Sequence, residues 1–251
     1  MFGEDVWFII LQFLNEEEFR SLRSSHPTMK TVVDNYTRKL RLIEFRLSQF
    51  FEDVEYLKSL LRTTNSVVSG SIVLQTILST RFKETSDLDI YIPANDKTIL
   101  NWYFQFLYEE DYILTSKPSS RSRYFHSKFK VYDFFKKWKV QIIVCENDPY
   151  LFVQSSFALS CVKNWYDGTV ISTLHLKYTK DYIAVYENEE KHLITRPNTI
   201  QFVKKYMNRG FQVLVKSNFL STECKSVQIF KPPEYRMENS EIPNFSKFYY
   251  C

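Results

Sequence analysis

An α+β architecture, a mixed sheet with flanking helices behind a helical N-terminal segment, is predicted from three features of the sequence. The first 64 residues carry apolar side chains at helical spacing, residues 66–92 alternate strand, turn, helix and strand, and residues 129–145 read as a β-hairpin. With 44% hydrophobic and 25% charged residues over 251 positions, the chain has globular composition and room for one large domain or a medium domain with an appendage.

The N-terminal stretch "EDVWFIILQFLNEEEFRSLRSSHPTMKTVV" predicts two or three short helices. Val6, Ile9, Ile10, Phe13 and Leu14 recur on one helical face, and Asn15 is positioned to cap the next helix. Glu16, Glu17 and Glu18 then place acid where the helix dipole favours it, and Phe19 and Leu22 continue at helical spacing. Pro27 restarts a helix toward Met29, Val32 and Val33. Residues 34–64 predict one long amphipathic helix or two in series. Its stripe is Leu40, Ile43, Leu47, Phe50 and Phe51, then Val54, Leu57, Leu60 and Leu61, with Leu42 and Phe45 on a second face.

The next segment carries the chemistry. Residues 66–68 form a short strand, Ser69-Gly70-Ser71 a turn and residues 72–78 a helix, and a loop then delivers Asp87-Leu88-Asp89 into the strand Ile90-Tyr91-Ile92. Strand alternation puts Asp87 and Asp89 on one face, about 7 Å apart. Bare, they repel by roughly 2 kcal/mol at an effective dielectric near 20. A divalent cation removes that repulsion, and Mg²⁺ favours carboxylates combined with substrate phosphates. Gly70 and Ser71, at a helix start, offer backbone N–H groups and a hydroxyl to phosphate.

Further along, Asn95 or Asp96 caps a helix whose core face is Ile99, Trp102, Tyr103 and Phe106. Lys117, Arg121 and Arg123 lie in a basic loop read as solvated, the alternative being contact with phosphates from the rim of the cleft. The hairpin pairs residues 129–134 with 138–145 around a turn near Lys136-Lys137. Pro149 opens a helix over 150–165, with Gly168 as its stop. Residues 169–197 predict two strands and a charged turn. A helix follows with Asn198 or Thr199 as cap, Ile200, Phe202, Val203 and Tyr206 as anchors, and Gly210 as stop. After Lys231 the chain is expected to be irregular.

Other features narrow the function classes. The net charge of +4 permits a nucleotide or nucleic-acid partner without requiring one. Cys145, Cys161, Cys224 and Cys251 include no close pair, so a disulfide or zinc framework is not expected and a reducing cytoplasmic or nuclear compartment is. The four histidines are scattered at non-ligand spacing. The apolar run from Val6 to Leu14 is too short to span a bilayer, so no membrane association is expected.

Two resemblances follow. "EDVWFIILQFLNEEEFRSLRSSHPTMK" resembles an F-box, although Phe2-Gly3 stand where Leu-Pro is typical and His26-Pro27 replace the usual Cys-Lys. It implies that residues 1–30 dock a Skp-type ubiquitin-ligase adaptor; the alternative is a helical subdomain packing on its own chain. "SGSIVLQ" followed by "SDLDIYI" resembles the polymerase-beta-type nucleotidyltransferases. That implies nucleotide binding by Gly70 and Ser71, and Mg²⁺ or Mn²⁺ held by Asp87 and Asp89, which are also the catalytic candidates. The family places a third carboxylate on a following strand, where "KVQII" supplies Gln141. A neutral amide binds divalent cations poorly and is no base at neutral pH. Glu146 has the wrong alternation parity without a bulge, and Asp133 would have to reach across the hairpin. "KVQII", "SSFALSCVKNWYDG" and "RPNTIQFVKKYMNRGF" are similar to a divergent group of such domains in fungi and large DNA viruses, in which Lys163 approaches the cleft without a defined role.

The implied organisation is an F-box-like segment over 1–45, a connecting helix over 46–64, a nucleotidyltransferase-like domain over 65–230 and a tail over 231–251. The expected function is a degenerate nucleotidyltransferase-fold domain that binds a metal-nucleotide or a client. An active Mg²⁺-dependent nucleotidyltransferase using a nucleoside triphosphate, and a noncatalytic nucleotide- or RNA-binding module, are the alternatives.

Overall fold

The computed structural model describes residues 10–11, 14, 16–40, 42–82, 86–94, 96–115, 119–120, 129–146, 148–186, 197–216 and 227–229. The proposed caps Asn15 and Asn95, the basic loop of Lys117, Arg121 and Arg123, the charged turn near 187–196 and the tail beyond Lys231 lie outside them, as do Val6, Ile9 and Phe13. The described residues form an α+β architecture with a mixed sheet and several helices. No helix among them is long and apolar enough to cross a membrane. The chain divides into two units, residues 1–150 with 165–171, and residues 151–164 with 172–251.

The first unit begins with helices α1 (Glu16–Ser25), α2 (Pro27–Leu40), α3 (Ile43–Leu47) and α4 (Val54–Thr64). Leu11, Val33 and Tyr36 form a small core, with Leu14, Phe19, Leu22, Val32 and Phe45 packed around it. Phe19 stacks on Tyr36 at 5.7 Å, and Phe45 meets the same ring edge-on at 6.2 Å. Residues 34–64, expected as one long helix or two in series, instead hold the end of α2, then α3 and α4, with an abrupt break before α4. There the buried Glu110 carboxylate accepts the N–H groups of Glu52 at 2.8 Å and Asp53 at 2.7 Å. Asp53 in turn caps α4 by accepting the Tyr56 N–H at 2.8 Å, and Asn65 closes it in the left-handed conformation.

Next come β1 (Val67–Ser69), α5 (Ser71–Leu78), β2 (Leu88–Pro93), α6 (Lys97–Glu109), β3 (Ile113–Leu114), β4 (Ser119–Ser120), β5 (Phe129–Phe135) and β6 (Lys139–Cys145); helix α7 (Pro149–Ser156) leads into the second unit, and the chain returns in β7 (Asn164–Tyr166). The sheet order is β3-β5-β6-β2-β1-β7-β8, where β8 is Ile171–Thr173, with β4 pairing on β5. β2 and β6 are parallel; the pairs β1–β2, β1–β7 and β5–β6 are antiparallel. One face is apolar: Val68, Leu88, Ile90, Ile92, Phe134, Val140 and Ile142 join Leu57, Leu61, Tyr103, Phe106 and Leu107 from α4 and α6 in the main core. The opposite face is mixed: the paired row Val67, Tyr91, Ile143 and Val131 is buried there, and the row two residues along each strand carries polar side chains.

Two expectations are corrected. Trp102 is 43% exposed, because α6 turns Tyr103, Phe106 and Leu107 inward and leaves Trp102 on the flank of that stripe. The helix over 150–165 stops at Ser156; a 3₁₀ turn (Ser160–Val162) and β7 follow. Trp165 and Tyr166 are drawn out of helix by pairing with Ser69 and Val68, a tertiary contact that outweighs local propensity.

The second unit contains a three-stranded sheet in which β9 (Ile183–Tyr186) runs parallel to β10 (Gln212–Lys216), and β10 antiparallel to β11 (Val227–Ile229). The region predicted as two strands and a turn holds β8 (Ile171–Thr173), a five-residue helix α8 (Leu176–Lys180) and then β9, so the short helix went unread. Helix α9 (Pro197–Asn208) places Tyr206 against Phe211, which also meets Tyr182. Ser160 accepts the Val185 N–H at 2.8 Å, tying the 3₁₀ turn to β9.

Gly168 has φ +89°, and a Cβ there would sit 2.5 Å from the Lys58 carbonyl oxygen. Gly168→Ala should therefore destabilise the fold by about 2 kcal/mol or more in chemical denaturation. An unchanged midpoint would show that this approach is not needed.

Candidate functional site

The register sets one polar row across four neighbouring strands. Ser69 on β1 pairs with Asp89 on β2, Asp89 with Gln141 on β6, and Gln141 with Asp133 on β5. Directly paired residues point to the same face, so Ser69, Asp89, Gln141 and Asp133 share the face opposite the core. Asp87 lies two residues before Asp89, just ahead of β2, and alternation brings it to the same side.

Gly70 links β1 to α5. Its backbone, at φ +81° and ψ −141°, suits glycine, and a Cβ there would lie 3.1 Å from Asp89 Oδ2. Asp89 thus stands against the start of α5, where the unsatisfied amides of a helix favour negative charge. The structure therefore brings Gly70 and Asp89 together, with Asp87 two residues before Asp89. Ser71 opens α5 but is only 7% exposed, which limits its hydroxyl as a phosphate donor.

Gln75 shapes the loop that delivers Asp87. From within α5 its side-chain oxygen accepts the Phe82 N–H at 2.9 Å, and its Nε2 donates to Ser86 Oγ at 3.2 Å and to the Ser71 carbonyl at 3.3 Å. The buried Arg46 reaches the same loop, donating to the carbonyls of Gln75 at 2.9 Å and Thr80 at 2.5 Å. Burial pushes the Arg46 guanidinium down to about 10, so it stays charged at neutral pH.

Lys139, not singled out from the sequence, completes the site with Gln141 and Asp133. Gln141 Nε2 donates to Asp133 Oδ1. Lys139 Nζ lies 3.3 Å from Asp133 Oδ1 and 3.5 Å from Asp87 Oδ2. Asp133 is well covered at 16% side-chain exposure, against 45% for Asp87. The signal that could have found Lys139 is alternation along β6, which puts it on one face with Gln141, together with the hairpin register. Glu146 is exposed beyond the end of β6 and does not enter the row. Cys145 and Cys161 are buried, which pushes both thiols well above their usual range and leaves neither suited to nucleophilic attack.

The Mg²⁺ that the nucleotidyltransferase resemblance implies would be held by Asp87 and Asp89, with phosphate oxygens and water as its other ligands. A second ion fits poorly: Gln141 stands where a carboxylate is needed, and the Lys139 ammonium already faces Asp87 and Asp133. Among the described residues, no group of three or more His, Cys, Asp and Glu is arranged to hold a metal.

Gln75→Leu removes three hydrogen bonds while keeping the side chain's bulk. It should cost about 2–4 kcal/mol and speed hydrogen exchange at the Phe82 amide more than at amides in β6. Equal exchange at Phe82 in both proteins would show that Gln75 does not hold the loop.

No protein-family model matches the chain, and no curated protein matches it, so its own geometry carries the functional reading.

Proposed function

We propose that the first unit binds a nucleoside triphosphate as its Mg²⁺ (or Mn²⁺) complex and turns it over slowly or not at all. The observation that carries this is the seating of Asp89 against Gly70 at the start of α5, with Gln141 beside it in the row. A phosphate chain placed there meets helix amides on one side and the carboxylates of Asp87 and Asp89 on the other. The ion, when bound, offsets the charge between carboxylates and phosphates. Gln141 contributes a neutral amide turned toward Asp133, so the position where the nucleotidyltransferase resemblance places a base holds none. Absence of a general base typically lowers rates about 10²–10⁴-fold, and loss of one metal position adds to that.

Calorimetry with each of the four triphosphates should show Mg²⁺-dependent binding that weakens at least tenfold in an Asp87→Ala, Asp89→Ala double variant. Robust multiple turnover by the unaltered chain, lost in Asp133→Asn, would contradict this reading and make Asp133 the missing base.

A second reading concerns the N-terminal helices. They carry their own small core, and Ile10 is 36% exposed beside the buried Leu11, which supports an adaptor-docking surface of F-box type. A Skp-type adaptor should retain the full chain in a pull-down and lose it on Ile10→Asp. Equal recovery of both proteins would remove Ile10 from any docking face.

A further inference from the structure

Lys139 precedes Gln141 by two residues on β6, so both reach the polar face. Its ammonium lies between carboxylates that come from the two strands flanking β6: Asp133 on β5, and Asp87 at the entry to β2. A divalent ion shared by two carboxylates cancels their repulsion, and an ammonium at this point does the same. The two cations differ in what else they do. An ammonium offers three donors and accepts no ligand, so it neither coordinates a phosphate oxygen nor lowers the pKa of a bound water. Gln141 completes the arrangement by donating to the same Asp133 oxygen that faces Lys139.

We propose that Lys139 is a built-in cation that fills a second metal position between Asp87 and Asp133, limiting this face to one divalent ion, on the Asp89 side. The inference rests on the reading of the face as a cation-and-phosphate site. It makes Lys139 and Gln141 a matched pair: Gln141 withholds a ligand, and Lys139 neutralises the carboxylates that remain.

The test is titration of the full chain with Mn²⁺ alone, without nucleotide, following the free ion by electron paramagnetic resonance. Lys139→Met should bind Mn²⁺ at least tenfold more tightly than the unaltered chain, and Lys139→Arg should match the unaltered chain. Adding Asp133→Asn to Lys139→Met should abolish the gain. Lys139→Gln is read in parallel, so that misfolding of the methionine variant, seen by near-ultraviolet circular dichroism, does not decide the result. Mn²⁺ affinity in the neutral variants within twofold of the unaltered chain, or a gain that survives Asp133→Asn, would overturn the proposal. Failure of triphosphate binding would remove the nucleotide reading and leave this comparison intact. Failure of the Mn²⁺ comparison would leave triphosphate binding standing.

Discussion

A Cβ on residue 70 would lie 3.1 Å from Asp89 Oδ2, and much of the site depends on that close approach. The Ser69–Asp89 pairing holds β1 and β2 in register, and Gly70 turns the chain sharply into α5. Only a residue without a side chain lets the helix start and the carboxylate come so near at that backbone angle. The result is a place where fixed partial positive charge from the helix meets a carboxylate, with the sheet as a rigid floor.

That floor is rigid because its other face is buried. Leu88, Ile90 and Ile92 on β2, with Val140 and Ile142 on β6, are fully covered. A slip of one residue in either strand would send these side chains to the wrong face, so core packing also fixes which residues share the polar row. Core and site are set by one constraint read from opposite sides of the sheet. Around it, Glu110 holds the entry to α4, and Arg46 and Gln75 hold the loop before Asp87. The side chains that place the aspartates thus come from elements distant in sequence.

How much was legible in the sequence follows from which contacts are local. Asp87 and Asp89 sit two apart at a strand start, so alternation alone puts them on one side, and the Gly-Ser turn before the largely apolar run Ile72–Leu78 marks α5. The position of Asp133 depends on turn length. A two-residue turn at Lys136-Lys137 would set Asp133 opposite Val140. The actual turn also takes in Trp138, which pairs Phe135 with Lys139 and Asp133 with Gln141. Lys139 was hidden for the same reason, since its partners become visible only once the register is known. The helix predicted over 150–165 failed because Trp165 and Tyr166 find their partner in β1, almost a hundred residues earlier, a distance no local pattern encodes. Trp102 was misplaced because an apolar side chain one step off the buried stripe carries the same periodic signal as one on it.

The central claim is that this face takes one divalent ion with a nucleotide, its other cation being a lysine. Anomalous diffraction at the manganese edge, from crystals grown with Mn²⁺ and a non-hydrolysable triphosphate, tests it directly. The account predicts one manganese peak between Asp87, Asp89 and the phosphates, with the Lys139 ammonium still between Asp87 and Asp133. Two manganese peaks with Lys139 displaced, or a triphosphate bound away from Gly70, would contradict it.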